Sequence, residues 1–302
     1  MKEANSTASV SGGTALLVRL PGLLPTWQLA ATAAHQAYAS GQALGPVTGL
    51  PQIDQALGGS LKPGFHAWHG EPGTGKTALL LQIAASCGCP ALFVSCEMST
   101  LELFRRIVAR VTGTRLGKLS SGEIAPEPSF LLANQAAAAC QHLTLLDATR
   151  TIASPECLLH AAEAARGDHP HLLIVVDSVH SWADSSGNAA QEYDRLNTAV
   201  AALRSLAGRL DCPVVGIAER SRSTMQGGGL SAAAGSRKLE YGAETVIGLD
   251  RGKATDSTVK GVMGVTLSIE KNRHGSAGIK VPLRFHGAMQ RFEEVSQRPG
   301  SA

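Results

Sequence analysis

The sequence predicts a three-layer α/β sandwich with a mostly parallel central sheet and a β-rich C-terminal end. Three observations carry this. Apolar, strand-like runs alternate with helical ones through the middle of the 302 residues. Leu172–Asp177, LLIVVD, is a continuous apolar run of the kind found in strands buried on both faces of a parallel sheet. Gly70-Glu71-Pro72-Gly73-Thr74-Gly75-Lys76-Thr77 fits the phosphate-loop pattern G-x-x-x-x-G-K-[ST] at every fixed position. A short apolar run, Phe65–Trp68, precedes it, and a stretch without Gly or Pro follows it. That strand–loop–helix setting makes a nucleoside triphosphate the predicted ligand.

The elements follow in order. Residues 1–13 are Ser/Gly-rich and are expected to be disordered. Residues 26–38, TWQLAATAAHQAY, form a helix with Thr26 as its N-cap and with Trp27, Ala31, Ala34 and Tyr38 on one face. Such an arm packs either on its own domain or on a neighbouring subunit. Residues 46–64 are punctuated by Gly and Pro and lead into the first strand. Beyond the phosphate loop, residues 91–96 read as a strand ending in Glu97, and Ser99-Thr100-Leu101-Glu102 is a capping box opening a helix to Val111. A helix over 129–141, a strand over 143–147 and a helix opened by Ser154-Pro155 come next. After Asp177, a helix over 191–210 lines up Leu196, Val200, Leu203, Leu206 and Leu210. Strands over 214–218, 245–249, 265–270, 279–285 and 290–294 complete a hairpin-rich end. The organisation is a flexible arm (1–45), one α/β domain (46–295) and a short tail (296–302).

Composition bounds the function. A hydrophobic content of 44% and a net charge of +3 describe a globular chain with a sizeable core and no strong bias toward a polyanion. The six cysteines (Cys87, Cys89, Cys96, Cys140, Cys157, Cys212) lack C-x-x-C pairing, so reduced, buried thiols are expected and a zinc site is not. No run approaches the length of a membrane span and the start has no signal-length apolar core, so no membrane partner and a cytoplasmic location are expected.

The chemistry concentrates at strand ends, where sheets of this kind present functional groups. Glycines in the phosphate loop let successive N–H groups point at phosphate oxygens, and the following helix adds its positive end. The nucleotide-binding residues are thus Gly70 through Thr77 with Ala78. Lys76 reaches the β- and γ-phosphates, and the Thr77 hydroxyl holds Mg²⁺ with Asp177 at the end of LLIVVD. Glu97 is positioned to deprotonate the water that attacks the γ-phosphate. Glu219 ends VVGIAE and either senses the γ-phosphate or forms a solvated pair with Arg220. Lys271-Asn272-Arg273-His274-Gly275 is a basic hairpin tip. It serves either as an exposed turn or as the source of an arginine finger, acting in cis or in trans. The Gly/Ser/Ala-rich stretch 220–238 carries Arg220, Arg222, Arg237 and Lys238 and no aromatic. It is either a surface loop or a segment that tracks a nucleic-acid backbone.

Taken together, the segments TGLPQID, GEPGTGKT, ALFVSCEMS with Arg105-Arg106, LLIVVDS, PVVGIAE, LEYGAETVIGL and LSIEKNRHGSAGIKVPLRF occur in one telling order. That order resembles the RecA-like ATPase domain of replicative hexameric DNA helicases of the DnaB type, superfamily 4, over residues 46–295. The resemblance implies a RecA-like three-layer α/β/α P-loop NTPase with ATP and Mg²⁺ as cofactors. It also implies Glu97 as catalytic base, Asp177 as the Walker-B acid, and Lys271 with Arg273 as fingers reaching a neighbouring subunit's ATP. The loop after Glu219 would line a central channel for single-stranded DNA, in a ring that the resemblance makes a hexamer. Three departures stand out. Glu219 replaces the usual Gln, Ser178-Val179-His180 replaces the usual Tyr-Leu-Gln-like continuation, and only the short arm stands where the family carries a large helical N-terminal domain. The segment around Leu239 and the KNRHG turn also resemble RadA-type repair ATPases.

Three functions fit these residues. The leading one is a ring-forming, ATP-hydrolysing DNA motor, a helicase or translocase of DNA replication. The others are a RecA/RadA-like repair or recombination ATPase without unwinding activity, and an oligomeric interaction module switched by nucleotide.

Overall fold

A computed structural model of the chain describes residues 8–9, 16–151, 153–184, 192–219, 242–252 and 261–295. The chain divides into two compact units, Met1–Leu44 and Gly45–Ala302. In the first, two short strands, β1 (Ala8–Ser9) and β2 (Leu16–Leu17), pair antiparallel. Part of the stretch expected to be disordered is therefore paired, through backbone bonds that need no side-chain pattern. The rest of residues 1–13 lies outside the described residues. A 3₁₀ turn, Leu20–Leu23, runs into helix α1 (Leu24–Ser40). Thr26 is not the N-cap. Leu23 occupies that position, and Pro25 sits in the first turn, where its missing N–H costs nothing. The helix stops at Gly41, whose φ of 68° is left-handed.

The second unit opens with a short helix that the Gly/Pro punctuation concealed, α2 (Pro51–Ala56). Asp54 stabilises the turn before it by accepting bonds from the Thr48 amide at 2.6 Å and the Thr48 hydroxyl at 2.8 Å. Then come β3 (Gly64–Gly70), α3 (Lys76–Ala84), β4 (Ala91–Ser95) and α4 (Thr100–Thr112). The Ser99 hydroxyl accepts the Glu102 amide at 3.3 Å, as the capping pattern requires. A further short helix, α5 (Leu116–Ser121), precedes α6 (Pro126–Ala139), which starts three residues early because Pro126 suits a first turn. The chain continues through β5 (Leu143–Asp147), α7 (Pro155–Arg166), β6 (Leu173–Asp177), α8 (Val179–Asp184) and α9 (Glu192–Leu210). It ends with β7 (Pro213–Glu219), β8 (Thr245–Arg251), β9 (Val262–Asn272), β10 (Ile279–His286) and β11 (Arg291–Glu294).

One nine-stranded sheet, in the order β11-β10-β9-β8-β3-β7-β6-β4-β5, carries this unit. From β8 to β5 neighbouring strands run parallel, whereas β9, β10 and β11 fold back antiparallel. Both faces are covered. Leu173 and Val175 join one apolar core with α3 and α4, while Ile174 and Val176 join the other with α7 and α9. Side chains alternate across a strand, so burial on both faces is the physical reason for the unbroken LLIVVD run. On α9 the five predicted apolar positions, from Leu196 to Leu210, are all buried. The six cysteines are free thiols; Cys87, Cys89, Cys140 and Cys212 are buried as expected, whereas Cys96 is half-buried just after β4 and Cys157 is exposed on an outward face of α7.

Candidate active site

The parallel strands all end on one side, so Gly70, Asp177, the residues after Ser95, Glu219 and Arg251 reach the same edge of the sheet. The phosphate loop spans this edge from β3 to α3. Its turn closes through the Thr74 hydroxyl, which donates to the Glu71 carbonyl at 2.9 Å. Gly75 caps α3 with φ at 90°, and a Cβ there would stand 2.8 Å from Phe292 Cζ. Phe292 stacks on Phe285 with ring centroids 4.4 Å apart, so the hairpin of β10 and β11 forms the wall behind the loop. Gln82 of α3 fastens that wall. Its side chain accepts the Phe292 amide at 2.8 Å and donates to the Phe292 carbonyl at 3.0 Å.

Lys76 Nζ donates to the carbonyls of Gly70 and Glu71 at 2.8 and 3.0 Å, lying across the loop where β- and γ-phosphates would sit. The Thr77 hydroxyl donates to Asp177 Oδ2 at 2.7 Å. Asp177 is only 4% exposed. Burial pushes its carboxyl up to about 6, and the neighbouring Glu97 charge adds to this against the Thr77 bond, Lys76 and Arg106. Hard oxygen donors of this kind suit Mg²⁺, which is normally held by one or two protein groups together with phosphate oxygens. Among the described residues no cluster of three or more His, Cys, Asp or Glu forms a dedicated metal cage.

Glu97 lies in the bend after β4 and is exposed. Its Oε1 accepts the hydroxyls of Ser178 at 2.6 Å and Ser181 at 2.8 Å. Arg106, on α4, donates to the side chain of Gln290, a buried residue held in the left-handed region with φ at 53°. Gly73, Lys76, Thr77, Glu97, Arg106 and Asp177 share one cavity of about 390 Å³. A larger groove, about 700 Å³, lies by Gln55, Gly275 and Lys280 and contains none of these groups. Arg251 rims the loop, with Nη2 3.4 Å from the Pro72 carbonyl.

Lys271 and Arg273 lie elsewhere. Lys271 pairs with Val246 and Asn272 with Thr245, near the start of β8, whereas Leu249, near its end, pairs with Gly70. The four-residue step from Thr245 to Leu249 is roughly 13 Å of strand. The KNRHG turn therefore stands at the opposite end of the sheet from this chain's own phosphate loop. Glu244 orders the turn by accepting Arg273 Nη1 at 2.9 Å and meeting His274 Nε2 at 3.1 Å. The Asn272 side chain donates to the Ala56 carbonyl at 3.1 Å. Glu219 ends β7 in register with Gly70. Arg220, Arg222, Arg237 and Lys238 lie outside the described residues, as does the tail.

Residues 45–294 match the family profile described as the DnaB-like helicase C terminal domain. The chain belongs to this family. It is 26% identical over 263 residues to the replicative DNA helicase DnaB of Treponema pallidum, covering 82% of this chain and 56% of that protein. It is 29% identical over 164 residues to the DNA repair and recombination protein RadA of Methanocorpusculum labreanum, covering 49% of this chain and 47% of that one. Among solved structures, a DnaB-like replicative helicase described with its primase interactions superposes with a TM-score of 0.73 at 18% identity. That match covers 89% of this chain and 66% of that one. The RecA-like fold expected from the sequence is thus met. The chain spans just over half the length of the DnaB relative.

Within this DnaB-like domain, sequence reasoning missed the serine pair on Glu97, the Arg106–Gln290 contact and Arg251. Ser178 was visible only as a departure from the family's usual residues, and Ser181 carried no signal of its own. Arg105-Arg106 was visible as a pair, but which of them turns to the cavity depends on how α4 is rotated against the sheet.

Proposed function

We propose that this DnaB-like domain is an ATP-hydrolysing DNA motor that works in a ring, with ATP held between subunits. The observation that carries this is the convergence of Lys76, Thr77, Glu97 and Asp177 on one cavity while Lys271 and Arg273 stand at the other end of the sheet. Gly70 through Ala78 would bind the phosphates by backbone N–H groups, with Lys76 exchanging the Gly70 and Glu71 carbonyls for phosphate oxygens. Thr77 and Asp177 would hold Mg²⁺, which supplies charge neutralisation to the phosphates when bound. Glu97 takes the proton of the attacking water as the new bond to the γ-phosphorus forms and the bond to the ADP oxygen breaks. Arg106, on the cavity wall, offers a further cation in cis. Lys271 and Arg273 of one subunit would stabilise charge in the site of the next, and six copies would close the ring. Arg220, Arg222, Arg237 and Lys238 would track single-stranded DNA, and the arm before residue 45 would dock on a neighbour. No helix among the described residues is long and apolar enough to cross a membrane, which suits a motor acting on DNA in the cytoplasm.

The test is ATP hydrolysis with and without single-stranded DNA, alongside strand displacement and assembly state. DNA-stimulated hydrolysis and displacement, both lost in Lys76→Ala, support the motor. DNA affinity should fall steeply with salt. A monomer that hydrolyses nothing in the presence of ATP and DNA ends this reading. The likeness to RadA favours a second one, a repair ATPase that binds DNA and hydrolyses ATP without displacing strands.

A further inference from the structure

We propose that Ser178 and Ser181 are positioning residues for Glu97, holding one carboxylate oxygen so that the other faces the attacking water. The inference rests on Glu97 being the base, as read above. Glu97 is exposed and lies in a bend outside any helix or strand. The terminal torsion of a Glu is broad, and an exposed Glu loses substantial rotamer entropy when it is ordered. A base in that setting is aimed only if something grips it.

Two hydroxyls do. Ser178 Oγ stands 2.6 Å and Ser181 Oγ 2.8 Å from Oε1, and the two hydroxyl oxygens are 3.0 Å apart. Each hydroxyl has one proton, and both donate to the same carboxylate oxygen. Oε2 accepts no bond from any other described residue, so it is the oxygen left for the water proton. The grip is itself anchored. Ser178 is 2% exposed and follows Asp177 directly, and the Ser181 amide donates to Ser178 Oγ at 3.3 Å. One residue on, the Trp182 indole N–H donates to the Ala153 carbonyl at 2.6 Å and pins α8 to the core. The serines thus tie the direction of Glu97 to the strand that carries the metal-binding carboxylate.

The test uses the full chain with ATP and Mg²⁺ and compares Glu97→Gln, Ser181→Ala, Ser181→Thr and Ser178→Ala/Ser181→Ala. If Glu97 is the base, Glu97→Gln lowers kcat by about a hundredfold or more. The double alanine variant is expected to lose about tenfold in kcat, from two charge-assisted bonds, with KM for ATP within about twofold. Ser181→Ala loses part of that, and Ser181→Thr, which keeps the hydroxyl at a partly exposed site, restores it. Melting temperatures report whether each variant is folded. An inactive Glu97→Gln with a fully active double variant, or a Ser181→Thr no better than Ser181→Ala, overturns the positioning role alone. A fully active Glu97→Gln overturns the reading of the base beneath it.

Discussion

Thr77 and Asp177 lie 100 residues apart in the chain, yet the Thr77 hydroxyl donates to Asp177 Oδ2 across 2.7 Å. The bond joins the first turn of α3 to the end of β6 and brings together two oxygens suited to one Mg²⁺. It also leaves a carboxylate buried with few partners.

Asp177→Asn should therefore make the protein more stable and inactive. The Asp177 carboxyl titrates at about 6 when folded, against 3.8 for the ordinary group, chiefly through burial. Between these values the folded state binds the proton more tightly, so this group's contribution to stability falls as pH rises from about 4 to about 6. At pH 7, without Mg²⁺, Asp177→Asn is expected to raise the melting temperature by roughly 5 °C, with no gain below about pH 4. Hydrolysis should fall at least about a hundredfold. Equal melting temperatures at pH 7 would show that the buried charge is not destabilising.

His66 should act in the opposite sense. Its ring is buried, with Nε2 2.7 Å from the Lys62 carbonyl and Nδ1 2.8 Å from the Thr245 hydroxyl. The carbonyl can only accept, so Nε2 carries a proton, and the Thr245 hydroxyl can donate to Nδ1, which suits a neutral ring. Burial lowers its titration to about 4 from 6.5. The unfolded chain then binds more protons in that window, so this contribution is full above about pH 6.5 and is lost as pH falls toward 4, by up to about 3 kcal/mol. Denaturant titrations from pH 7 to 4 should show a steeper acid loss in Asp177→Asn, where the opposing slope is gone, and a shallower one in His66→Gln. Parallel curves for all three proteins would refute the assignment.

Gly75→Ala should damage both fold and site. The position needs φ near 90°, and a Cβ would stand 2.8 Å from Phe292 Cζ, so strain and the displaced ring act together. The expected loss is about 2–3 kcal/mol in urea unfolding, with weakened ATP binding. A variant that matches wild type in both would mean that the Phe285–Phe292 wall yields freely.

The opposed placement of Lys76 and Arg273 calls for a mixing experiment. Lys76→Ala and Arg273→Ala should each be inactive alone, with Arg273→Ala still binding ATP. Mixed, they should regain hydrolysis, because an intact phosphate loop on one subunit then meets an intact finger on the next. A mixture that exchanges subunits but stays inactive would argue against a shared site.

Much of this was legible without coordinates, for reasons that can be named. LLIVVD, the capping box at Ser99 and the N-cap at Ser154 are local patterns whose physics acts within one element, and each element formed where expected. Thr26 failed as a cap because Pro25 is equally well suited to a first turn and sits one residue earlier. The helix α2 was hidden because Gly and Pro flank it, although Asp54 ties down the turn at Thr48.

The candidate site divides along the same line. The sequence by itself determined the phosphate loop, the Asp177 strand end, the position of Glu97 and the family, because these depend on the order of residues along the chain. Only the tertiary structure decided that two serines grip Glu97, that Phe285 and Phe292 stand behind Gly75, and that Arg106 rather than Arg105 meets Gln290. It also decided that Lys271 and Arg273 lie away from their own phosphate loop. Those relations depend on strand order and direction: β8 runs parallel to β3 and β9 runs back, which carries the KNRHG turn to the far end of the sheet. Periodicity specifies which face a side chain takes, and sheet order specifies what it meets there.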